Sequence, residues 1–181
     1  MLNILISLFL YHNNLNGIQD WIIFGSLLML ILFIHELGHS LSAKRYGITC
    51  KEIGIGLYFI FPVLYTNLGE SWKLKKEKRI MINLSGIYFQ FILGIIIGLL
   101  AWSMNSNVLS FLFITNFSIA FFNLNPFIKL DGYWVVSDLL NTSNLFKAAS
   151  DEMTHFFSFK SQEKRNIKLL IYAFLRLIFF V

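Results

Sequence analysis

The chain has 181 residues, of which 56% are hydrophobic, 17% aromatic and only 14% charged, with a formal net charge of +5. Soluble globular proteins carry roughly a quarter charged residues, so this chain lacks the polar material to coat a folded surface and must set apolar faces against lipid. Its single cysteine, Cys50, excludes an intramolecular disulfide and any zinc site built on several thiolates, so a bound metal would need His and carboxylate ligands.

A bilayer core of about 30 Å takes roughly 20 apolar helical residues. In chain order, Leu2 to Tyr11 is apolar but too short to cross and reads as an interfacial or re-entrant piece. No Lys or Arg precedes Lys44, so a cleaved secretory signal is not expected. The first span runs from Trp21 through Ile34 to Ala43, where Lys44 and Arg45 end it. Glu52 to Leu68 follows, with Gly54, Gly56 and Pro62 interrupting any helix and aromatic residues favouring extended backbone, which predicts a hairpin. Open strands cannot face hydrocarbon, so this piece must lie against protein or at the interface. A second span, Asn83 to Ser103, is free of charge, and a third, Val108 to Leu124, is stopped by Pro126. A fourth candidate, Ile167 to Val181, is short and carries Arg176.

Basic residues orient the spans. Between Lys44 and Arg79 eight Lys and Arg face only Glu52, Glu70 and Glu77, an excess equal to the net charge of the whole chain. By the positive-inside rule this stretch is cytoplasmic, while the uncharged Met104 to Asn107 suits the outer side. The charge therefore reports topology, and no nucleic-acid partner is expected.

The sharpest motif is His35-Glu36-Leu37-Gly38-His39. On a helix, positions i and i+4 share a face, so both imidazoles reach one Zn²⁺ and Glu36 can take a proton from a water the metal acidifies, chemistry that points to peptide-bond hydrolysis. The three residues fall inside the first apolar span, where ionisable groups are costly and functional by default. Zinc needs a third protein ligand and an open position. His12 and His155 lie in polar flanks, which leaves Asp131 as the candidate, with Asp138 as competitor. Asp131 shares a side and a depth with the His pair, since the chain returns through the third span just before it; Asp138 also follows that span.

With these residues the chain resembles the site-2 protease family of intramembrane zinc metalloproteases. The resemblance rests on His35-Glu-Leu-Gly-His39 and on Asn123, Pro126 and Leu130-Asp131-Gly132 within Phe122 to Gly132. It implies His35, His39 and Asp131 as ligands of one zinc ion, Glu36 as catalytic base, and Asn123 as a residue that binds substrate or stabilises the oxyanion. A weaker correspondence, Gly86-Ile-Tyr-Phe-Gln90, replaces the family's Pro and Asn and leaves Gln90 as a candidate hydrogen-bonding neighbour of the site. Gly86, Gly94 and Gly98 read as a close-packing face. Lys129 could meet a substrate carboxylate, or snorkel to the interface. Leu64 to Trp72 and Asp131-Gly-Tyr-Trp134 look like the branch of peptide zinc metalloproteases, whose members accompany bacterial systems that make and export small peptides.

The expected fold is thus an all-α polytopic membrane protein forming a single domain over residues 1–181. It has a three-helix catalytic core at about 21–140, a β-hairpin-like insertion after the motif helix, and a C-terminal amphipathic or transmembrane segment at about 145–181. The expected function is an intramembrane zinc metalloendopeptidase acting on a membrane-associated or small precursor peptide, in the bacterial cytoplasmic membrane with its active site toward the cytoplasm. A peptide or protein substrate, the bilayer and a peptide-export partner are the expected partners. The alternative is a non-catalytic immunity or export accessory that keeps the fold.

Overall fold

The computed structural model describes residues 15, 17–58, 61–158 and 166–180, so the apolar piece at Leu2 to Tyr11 and His12 lie outside the described residues. Helix α1 covers Ile18–Arg45 and α2 covers Lys76–Met104; both are long and apolar enough to cross a membrane. Helix α3, Asn107–Asn123, is apolar but has 17 residues. At ~1.5 Å per residue it is about 25 Å long, shorter than a 30 Å hydrocarbon core. The second helix begins two turns before the apolar run, because its charged first turns, Lys76 to Arg79, are helical as well.

Each long helix buries one stripe and leaves the rest apolar. In α1 the buried residues are Phe24, Ile31, His35, Gly38, His39 and Ala43, which share one face at helical spacing. Around it Ile22, Met29, Leu30, Phe33 and Leu41 are exposed. Helix α2 repeats the pattern with Ile82, Gly86, Ile87, Gln90, Gly94, Ile97 and Ala101 inside and Ile92, Ile95, Leu99 and Trp102 outside. A surface as apolar as the interior fits contact with lipid rather than water. Phe24, Ile31, Ile97, Phe111 and Leu112 form the core shared by α1, α2 and α3.

The helices α1 and α2 touch through glycine. A Cβ on Gly38 would lie 2.8 Å from the Ser85 carbonyl oxygen, so its absence lets the two backbones approach closely, and a Cβ on Gly86 would run into the His39 and His35 rings, so that glycine leaves room for the imidazoles. Asn105, with φ 48°, turns the chain after α2, and Ser106 caps α3 by accepting from the Leu109 amide at 3.4 Å.

The predicted hairpin is present. Strand β1, Ile53–Tyr58, pairs antiparallel with β2, Phe61–Thr66, from Ile53 opposite Thr66 to Tyr58 opposite Phe61. After α3, the segment through Pro126 leads into α4, Asp131–Leu139, and then α5, Leu145–Ser158, and α6, Ile167–Phe180. The C-terminal segment is therefore two helices. Tyr133, Leu145, Ala149, Leu169, Tyr172 and Ala173 pack α4, α5 and α6 together, and the Tyr172 hydroxyl donates to the Pro126 carbonyl at 2.7 Å.

Candidate metal centre

His35 and His39 sit one turn apart on the buried face of α1, and Asp131 is the first residue of α4. Asn125 Oδ1 accepts the Phe127 amide at 2.8 Å and shapes the turn before it. Gly132 then lets α4 press against the end of α3, since a Cβ there would meet the Leu124 carbonyl oxygen at 2.2 Å. Its role is close approach of two backbones rather than unusual dihedrals: the one described glycine with positive φ is Gly47.

The three side chains converge. The Asp131 Oδ2 lies 3.1 Å from the His35 Nε2 and 3.4 Å from the His39 Nε2, and the two Nε2 atoms are 3.1 Å apart. A tetrahedral zinc with bonds of about 2.0–2.1 Å holds its ligand atoms roughly 3.3 Å from one another, so this triangle has the edges of one face of such a site. Its donor set fits too. The His35 Nδ1 lies 3.1 Å from the Gln90 Oε1 and the His39 Nδ1 lies 2.8 Å from the Ile82 carbonyl, and both oxygens only accept. A ring proton on each Nδ1 would satisfy these oxygens and turn a lone pair of each Nε2 toward the centre, the tautomer a metal ligand needs. The buried Asp131 Oδ2 has no hydrogen-bond donor among the described residues. With that tautomer, three acceptors face one another in a buried space and call for a cation.

Around this triangle lies a cavity of about 570 Å³, bordered also by Glu36, Asn123 and Lys129, with Val63 to Thr66 of β2 along its side. Glu36 is held by Thr66, whose Oγ1 donates to the Glu36 Oε2 at 2.7 Å and lies 3.1 Å from the Glu36 backbone oxygen. Asn123 ends α3 and lines the same space. Asp138 does not join the metal cluster: its Oδ1 accepts from the Arg79 Nε at 2.8 Å and from the Arg79 Nη2, pinning α4 to the start of α2. His155 lies on α5, outside the cluster.

Sequence reasoning identified Gln90 as a neighbour, and the structure places it, fully buried, on His35. It missed Asn116, whose Nδ2 donates to the Gln90 backbone oxygen at 3.0 Å, and it missed Thr66. An Asn within an apolar helix was the available signal for the first; nothing in spacing pointed to the second.

Residues 23–106 match the model of peptidase family M50. The resemblance to the site-2 protease family is thereby borne out, over α1, the hairpin and α2; Asn123 and Asp131 lie beyond the matched stretch. A Bacillus subtilis (strain 168) protein, YydH, provisionally named a peptide zinc metalloprotease, is 28% identical over 127 residues, which is 69% of this chain and 50% of that protein. The zinc metalloprotease MJ0392 of Methanocaldococcus jannaschii is 26% identical over 132 residues, 70% of this chain and 37% of that protein. The chain thus spans half or less of the length of these curated relatives. Both relatives are named as zinc metalloproteases, and in this chain His35, His39 and Asp131 form a group that could hold a metal ion.

Proposed function

We propose that this chain is an intramembrane zinc metalloendopeptidase, with His35, His39 and Asp131 holding one zinc ion and Glu36 as the catalytic base, in a core at about residues 21–140. The observation that carries this reading is the buried triangle of the His35 Nε2, His39 Nε2 and Asp131 Oδ2 atoms, opening on the cavity that Glu36 also borders. Zinc bound there supplies Lewis acidity toward a water and toward the scissile carbonyl. Glu36 takes a proton from the attacking water as the water oxygen bonds to the carbonyl carbon, then gives it to the departing amine nitrogen as the C–N bond breaks. Asn123, on the cavity wall, donates its amide N–H to the carbonyl oxygen as charge gathers there.

A helical substrate hides its peptide bonds, so the substrate must be extended at the site. Strand β2 lines the cavity and, among the described residues, pairs with β1 alone, which leaves its other edge without a partner strand there. It can pair with the substrate backbone and carry it toward the metal cluster. The basic stretch from Lys44 to Arg79 supports, by the positive-inside rule, a cytoplasmic position for this end of the molecule in a bacterial membrane. The substrate class we favour is a small or membrane-associated precursor peptide matured beside an export system, in line with the name of the Bacillus subtilis relative.

The test compares peptide products and bound zinc in cells carrying wild type and Glu36→Gln. The variant should keep zinc and lose cleavage. Unchanged processing would end this reading in favour of a non-catalytic accessory.

A further inference from the structure

We infer that Thr66 is a positioning residue for Glu36, a hydroxyl on β2 that reaches both a carboxylate oxygen and the backbone oxygen of that residue and so fixes where its carboxylate lies. This deepens the metalloendopeptidase reading and rests on it.

Three observations carry the inference. The Thr66 Oγ1 has two acceptors, the Glu36 Oε2 at 2.7 Å and the Glu36 backbone oxygen at 3.1 Å. Thr66 is fixed in a ladder rather than on a loose loop: it stands opposite Ile53, and the next residue bonds back, Asn67 N to the Glu52 oxygen, at 2.9 Å. The other carboxylate oxygen of Glu36, Oε1, has no hydrogen bond to the described residues, and Glu36 borders the cavity.

The chemistry follows from what a hydroxyl can do. The Thr66 O–H donates to Oε2 and leaves Oε1 without a protein hydrogen bond among the described residues, open to a partner in the cavity. A serine in its place keeps that donor, and a valine or alanine removes it. Because Thr66 ends β2, the strand that lines the cavity also fixes the base.

The probe is acetohydroxamic acid, titrated calorimetrically into the zinc-loaded full chain in detergent. Its O–H is a donor that a carboxylate beside a bound zinc would accept, so affinity reads the position of Glu36 without needing the natural substrate. Glu36→Gln should weaken binding about 100-fold. Thr66→Val and Thr66→Ala should each weaken it about tenfold with zinc content unchanged, and Thr66→Ser should stay within about twofold of wild type. In a Glu36→Gln background, Thr66→Val should add less than about twofold, since its effect passes through Glu36.

Wild-type affinity in both hydroxyl-free variants overturns the proposal, as does a loss of the same size in the Glu36→Gln background or a loss of zinc. If Glu36→Gln itself binds like wild type, the proton-acceptor role of Glu36 fails, a result distinct from failure at Thr66.

Discussion

At the scale of single residues, the His-Glu-x-x-His spacing was readable because a helix turns i and i+4 to one face, and the structure puts both imidazoles where that rule demands. Asp131 was readable only by combining topology with chemistry: a carboxylate 92 residues after His39 could be matched to it once the intervening spans were counted. The orienting groups were harder. Gln90 was in view because it shares a face with Gly86, but its bond to the His35 Nδ1 depends on how closely the two helices cross, which no periodicity states. Such outer bonds usually govern metal affinity by about 10- to 100-fold. Gln90→Leu should therefore weaken zinc binding by that factor in competition with a chelator, while Gln90→Glu, which keeps an acceptor, should lose less.

At the scale of elements, length and apolar composition located the long helices, and glycine, proline and aromatics located the hairpin. Two features escaped. The start of α2 lies among charges outside the apolar run, where a lipid criterion is silent. The nine-residue α4 is too short for a periodic pattern to stand out, yet it carries Asp131 and Asp138. Gly132 sets its place. A methyl group there would run into the Leu124 backbone at 2.2 Å, whereas one on Gly98 would meet the Phe113 ring, which can shift. Overpacking costs typically about 1–3 kcal/mol, more where backbone must move. Gly132→Ala should therefore lower the thermal stability of the detergent-solubilised protein further than Gly98→Ala, and should also loosen zinc by displacing Asp131.

For the whole molecule, the apolar exteriors of α1 and α2 explain the scarcity of charge in the composition, and the surplus of basic residues falls in the stretch that joins them. The proposed orientation has a built-in reporter. Cys50 is the sole cysteine, free and partly exposed, and lies within that basic stretch. A membrane-impermeant maleimide should label it in inverted membrane vesicles and spare it in intact cells lacking an outer membrane; the reverse pattern would invert the proposed topology.

The metal cluster also sets an order of events during synthesis. Two of its three members are made early, on α1, and the third arrives only when translation has passed Asp131, after the hairpin and two more helices. A ribosome-bound chain that stops short of residue 131 holds two imidazoles and a glutamate but no complete site. On the proposed reading, a chain that has not yet reached Asp131 cannot complete the three-residue group that would hold the ion, so the metal site closes only after most of the described helices have been made.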